Sequence, residues 1–214
     1  MRATLFDARA GKLRPLEASA PPRLRWARTP SGAPGTLGEE RARLLGHAIE
    51  SALVFMGYAL HAAGPAELCF GGAPEGEALW LKPGAGPAEA LTAVSARGFT
   101  AGDLRLWVLR FPYRDSPALD WDALDAARRD REVLARALAG LLARHSSSAP
   151  NASGLAGYRQ RLREALSRDF DFPEALAALW DGLRPGALSP GSQLAVLREA
   201  DAALGLGLSA VPGP

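Results

Sequence analysis

Apolar positions recur at helical spacing along most of the chain beyond residue 37. Leu37, Leu44, Leu45, Ala48, Ile49, Leu53 and Met56 share one face, which predicts a long amphipathic helix over about 37–57. Gly57 is its natural C-terminal stop. A short helix follows at about 88–97. Thr100 with Asp103 has the spacing of a capping box, and the helix it opens has Leu104, Trp107, Val108 and Phe111 on its core face. Asp120 caps a helix over about 121–144, with Leu134, Leu138, Leu141 and Leu142 as its stripe. Arg128, Arg129, Arg131 and Arg136 lie off that stripe, and Glu132 stands four residues before Arg136. Leu155, Tyr158, Leu162 and Leu166 predict a helix over about 155–168. Asp171 and Glu174 frame Pro173 as a second capping box for a helix to about 184, and Ser189-Pro190 opens a last helix that ends at Gly205. Trp107, Trp121 and Trp180 fall on apolar stripes and are expected in the core.

Alternation of period two is confined to the first half. Residues 3–16 read as a hairpin about Ala10-Gly11-Lys12. Arg23–Ala27, Ala66–Phe70 and Ala78–Lys82 read as strands. A Pro-containing link at 18–22, a loop at 31–35, a linker at Ser146–Gly154 and a frayed tail after 208 punctuate these elements. The expected architecture is an α/β unit followed by an α-helical bundle.

Composition sharpens that expectation. One Ile, six Val and five Thr stand against 34 Leu, too few β-branched residues for a large sheet. Apolar residues make up 48% and charged residues 22%, which excludes global disorder. The 25 basic and 23 acidic residues nearly balance, and all but Lys12 and Lys82 of the basic ones are Arg. Cys69 is the single cysteine, so an internal disulfide is excluded. His47, His61 and His145 are scattered and no C-x-x-C or H-E-x-x-H spacing occurs, so no metal site and no cofactor are expected. No apolar run reaches about 18 residues, and no signal-type segment stands at the start. A cytoplasmic protein with no membrane partner is expected.

Five strings, in order, carry a resemblance. Leu5-Phe6-Asp7 with Lys12–Leu16 looks like an opening hairpin, and Leu53–Tyr58 like the helix after a nucleotide-binding loop. Asp103–Leu109 with Tyr113–Asp120, Asp169–Ala177, and Leu197–Asp201 with Leu204-Gly205-Leu206 complete the set. Together they resemble the cysteinyl-tRNA synthetase family. The resemblance implies a shrunken Rossmann-like nucleotide-binding domain over 1–100, then a stem-contact segment and helical bundle over 101–208, then the tail 209–214.

Departures from the family's pattern are as informative. Where the family has its HIGH histidines at a helix N-terminus, this chain reads Pro34-Gly35-Thr36-Leu37-Gly38-Glu39. Both histidines are missing, and Glu39 repels phosphate. Ala27 replaces the zinc-ligand cysteine, and Pro112 replaces another family histidine. The remaining ligand segments have no counterpart between Tyr58 and Gly71. Of the KMSKS loop, Lys82 alone matches a functional lysine, in Leu79–Pro83 before Gly84-Ala85-Gly86. The anticodon-binding domain has no match within the chain. The implied protein is a truncated, degenerate paralogue, a pseudoenzyme without aminoacylation. Mycothiol-pathway cysteine ligases share the ancestry but keep these motifs.

Candidate residues follow from the two readings together. Thr36 and Lys82 are the relic nucleotide-binding residues; an N-cap and a surface lysine are their plainer roles. For RNA, Arg23, Arg25 and Arg28 surround Trp26, Arg110 and Arg114 flank Tyr113, and Arg159 and Arg163 lie on a bundle helix. Solvated helix faces are the simpler account of the arginines. Cys69 is expected to be buried. The partners expected are tRNA or another structured RNA, bound by Arg–phosphate contacts. The alternatives are a protein partner or homo-oligomer, and residual ATP or cysteine binding, including a divergent cysteine ligase.

Overall fold

The computed structural model describes residues 3–16, 23–62, 65–74, 76–144 and 151–208. The link at 18–22, the first part of the Ser146–Gly154 linker and the tail after 208 lie outside the described residues. Strands β1 (Thr4–Asp7) and β2 (Lys12–Pro15) form the antiparallel hairpin, with Phe6 opposite Leu13. Gly11 takes φ 64° in its turn, a conformation that favours glycine.

Strand β3 (Arg23–Arg28) leads through helix α1 (Leu37–Phe55) to β4 (Ala59–His61), which pairs parallel to β3. The sequence pattern did not mark β4, because its three residues are largely exposed and carry no alternation. Strands β5 (Leu68–Phe70) and β6 (Leu79–Leu81) then add on the opposite side of β3, giving four parallel strands in the order β4-β3-β5-β6. The crossover through α1 and the parallel ladder make a small Rossmann-like α/β layer.

Helices follow: α2 (Leu91–Ala96), α3 (Ala101–Val108), α4 (Trp121–Arg144), α5 (Ala152–Ser167), α6 (Phe172–Leu183) and α7 (Pro190–Leu204). The Thr100–Asp103 capping box is complete, with each side chain on the other's backbone N–H. That at Asp171 is half formed. Asp171 accepts from the Glu174 N–H, but the Glu174 carboxylate turns to Arg161 instead. Helix α5 begins three residues before its first apolar stripe residue, because Asn151 caps it through the Ser153 N–H. On α4, Leu134 and Leu141 are buried, whereas Leu142 is 48% exposed and leaves the stripe. Gly205 closes α7 at φ 60°. Trp107 is fully buried, while Trp121 and Trp180 are partly buried against the core.

The buried residues form one hydrophobic cluster running from Ala3 in the hairpin to Leu208. Helix α1 lies in its middle, with Leu37, Leu44, Leu45, Ile49 and Leu53 at zero exposure. It packs on α7 on one side and contacts α3 on another. Among the described residues, no helix is long and apolar enough to cross a membrane.

Candidate functional site

Chain order reverses between β3 and β5: one crossover runs from β3 to β4, and the next strand returns to the other edge of β3. In open parallel sheets the crevice at the carboxyl ends beside such a reversal is where ligands bind. A cavity of about 500 Å³ lies there. Arg28 ends β3 and Phe70 ends β5, and both line it, with Thr29, Pro30 and Ser31 from the loop after β3. Glu39, Glu40, Ala42, Arg43 and His47 of α1 form another wall, and Leu91 of α2 closes it.

Most charge on these walls is compensated locally. Arg28 Nε stands 3.1 Å from Glu50 Oε1, and Glu50 also accepts from Trp26 Nε1 at 2.6 Å. Arg43 grips Glu40 through two nitrogens, at 2.7 and 2.5 Å. Burial, and then Arg28, pushes the His47 imidazole below its ordinary value, against the opposing Glu50. The Glu39 carboxylate accepts the Gly35 backbone N–H at 2.7 Å and has no cationic partner among the described residues.

Behind the cavity, the loop after β6 is pressed on α1. Gly38 N–H donates to the Pro87 carbonyl, and a Cβ on Gly86 would stand 2.3 Å from Gly38 Cα. The Arg41 guanidinium, 1% exposed, reaches the carbonyls of Gly84 at 3.1 Å and Tyr113 at 3.3 Å. Burial holds it down to about 10, still protonated at neutral pH. Sequence reading missed Arg41, although its place four residues after Leu37 on the apolar stripe was a visible signal.

A second hub sits at Asp169. Its carboxylate accepts the Phe6 N–H at 2.7 Å and the Tyr113 hydroxyl at 2.9 Å, and pairs with Arg114 Nε at 3.0 Å. Asp169 and Phe170 both take left-handed φ angles, 54° and 52°, which few non-glycine residues adopt.

The structure separates the residues singled out in the sequence. Thr36 is the N-cap of α1: Oγ1 accepts from the Glu39 N–H at 3.2 Å and donates to the Ala33 carbonyl at 2.6 Å. Lys82 does not line the cavity; its Nζ lies 5.6 Å from the Trp80 ring centroid. Trp26 and Tyr113 are buried, so neither offers a ring face for stacking a base. Arg25 is paired with Glu67, Arg110 with Asp130 and Arg159 with Glu199. Arg28 and Arg114 are held by Glu50 and Asp169 as described. Arg23 and Arg163 are exposed and make no ion pair among the described residues. The Arg163 guanidinium lies 5.9 Å from the Phe55 ring centroid at the end of α1, and Arg23 pairs across the ladder with Ala59, four residues after Phe55. Cys69 is buried, and burial raises its thiol against the bond to Thr29.

Comparison with known proteins agrees with the family resemblance over about half of the chain. The cysteine–tRNA ligase of Treponema pallidum (strain Nichols) is 30% identical over 135 residues, covering 55% of this chain and 26% of the ligase. That of Halorhodospira halophila is 41% identical over 111 residues, covering 48% of this chain and 23% of the ligase. The chain is related to the cysteinyl-tRNA synthetases. It matches about a quarter of the length of these ligases. No protein-family model matches it. Among solved structures, a ternary complex titled LeuRS-tRNA-LeuAMS from Agrobacterium radiobacter K84 aligns at TM-score 0.49 and 16% identity. That alignment covers 70% of this chain and 28% of the other. Set beside the cysteinyl-tRNA synthetase pattern, the loop into α1 offers a Thr36 hydroxyl already used in capping and a carboxylate at Glu39.

Proposed function

We propose that this synthetase relative does not form an aminoacyl-adenylate and instead holds tRNA, or another structured RNA, by arginine–phosphate contacts. On this reading residues 1–100 are the shrunken nucleotide-binding unit, residues 101–208 are the stem-contact segment and bundle, and the setting is cytoplasmic. The loss of catalysis is supported at the start of α1, where Glu39 accepts the Gly35 N–H at 2.7 Å. A carboxylate there opposes the phosphates that adenylation must stabilise.

The RNA reading is carried by the two candidate arginines that remain exposed and unpaired, Arg23 and Arg163, at the end of the sheet where α1 finishes beside Phe55. Guanidinium groups without a carboxylate partner keep their donors for phosphate. The relatives are cysteine–tRNA ligases, which makes tRNA the first RNA to try.

The test is a titration of the purified chain with total tRNA at two salt concentrations. Micromolar binding that weakens with salt is expected, and reversing Arg23 and Arg163 to Glu lowers the salt slope by roughly 0.7–0.9 per phosphate contact. Absence of binding at low salt sinks the reading. A protein-interaction module then becomes the better account, since Val54 is 60% exposed at the same end, beside edge strand β4.

A further inference from the structure

We propose that the cavity at the carboxyl ends of β3 and β5 is a binding site for a small primary amine carrying an apolar group. Three observations lead there. The first is size and position. About 500 Å³ at the point where strand order reverses is within the range of small-molecule sites. The second is the walls. Phe70, Leu91, Pro30 and Ala42 supply apolar surface, which selects a ligand with a hydrocarbon body.

The third is the state of the charges. Both arginines of the lining are already closed by carboxylates, Arg28 by Glu50 and Arg43 by Glu40. Each guanidinium therefore already carries the charge of one carboxylate, which lowers its pull on an incoming anion. Burial first, and then the charges of Arg28, Arg43 and Arg105, outweigh Glu50 and hold His47 toward its neutral form. Glu39 differs from them all. Its Oε2 accepts a backbone N–H, and no side-chain cation neutralises it among the described residues. Within this lining Glu39 is the carboxylate with no side-chain cation on it among the described residues, and it is where an ammonium group can pair.

The inference is independent of RNA binding and reverses the charge preference of a nucleotide site. It is tested on the whole chain by calorimetric titration with n-butylamine, 1-butanol, butyrate and ATP, at neutral pH and low salt. Saturable binding of butylamine is expected, at least tenfold tighter than butanol, with no saturation by butyrate or ATP. Glu39→Gln keeps an acceptor for the Gly35 N–H, so α1 stays capped, and is expected to weaken butylamine at least tenfold. Ala42→Phe, which fills the cavity one turn along α1 from Glu39, is expected to abolish binding. Equal or tighter binding of butyrate or ATP overturns the proposal. So does butylamine binding that is absent, or that persists unchanged in Glu39→Gln or Ala42→Phe.

Discussion

The Tyr113 hydroxyl donates to the Asp169 carboxylate at 2.9 Å, joining the segment between α3 and α4 to the turn between α5 and α6. The same carboxylate takes the Phe6 N–H of the hairpin. Burial, and then Asp169, drives the Tyr113 hydroxyl far above its ordinary value, so it stays a donor at any working pH. One aspartate thus ties three sections of chain, in a backbone conformation that costs free energy on its own.

Asp169→Asn isolates the charge, because asparagine tolerates positive φ. It is expected to destabilise the fold by about 2 kcal/mol, the scale of hydrogen bonds to a charged group. Urea unfolding followed by far-UV circular dichroism measures it. An unchanged midpoint refutes the assigned role.

Gly86→Ala is expected to lower the melting temperature by several degrees, since its Cβ meets Gly38 Cα at 2.3 Å and neither backbone segment can turn aside. Gly157→Ala, which meets nothing within 4 Å on α5, is the control and is expected to be neutral or stabilising.

Acid sensitivity follows from Asp103. Burial alone raises its carboxyl; the Thr100 N–H, the Arg131 guanidinium at 2.6 Å and the Thr100 hydroxyl outweigh it, leaving it below its ordinary 3.8. A carboxyl depressed on folding contributes stability that is complete above the unfolded value and lost as pH falls through the folded one. Stability is therefore expected to drop below about pH 3.8, and Asp103→Asn flattens that drop while lowering stability at pH 7. Denaturant midpoints of both proteins between pH 2 and 7 check the sign.

Cys69 is 1% exposed and burial raises its thiol, so an aromatic disulfide reagent is expected to label it slowly in the native protein and fast in denaturant. Rapid native labelling contradicts that burial.

Cysteine-dependent ATP–pyrophosphate exchange is expected to stay at background, given Glu39 at the start of α1 and Lys82 away from the cavity. Exchange above background restores residual chemistry.

Most helix positions, the caps at Thr100, Asp171 and Ser189, and the core face of α1 were legible in the sequence, because 3.6-residue periodicity and N-cap chemistry act between residues three or four apart. The Glu132–Arg136 pair was legible for the same reason, at 3.7 Å. So was the relation to the cysteinyl-tRNA synthetases, carried by five strings in order. The Asn151 cap of α5 was not legible, since it falls in a stretch whose composition reads as linker. Tertiary structure decided which arginines are free. Arg159 meets Glu199 forty residues away, Arg110 meets Asp130 twenty away, and Arg163 next to them in composition meets no carboxylate among the described residues. It also buried Trp26 and Tyr113, which their flanking arginines had marked as candidate RNA contacts. The cavity arises where β3, β5, α1 and α2 converge, and the Asp169 hub joins residues 6, 113 and 169. Local pattern sets what each segment becomes. The partners a charge or ring finds depend on how distant segments pack, and no spacing along the chain encodes that.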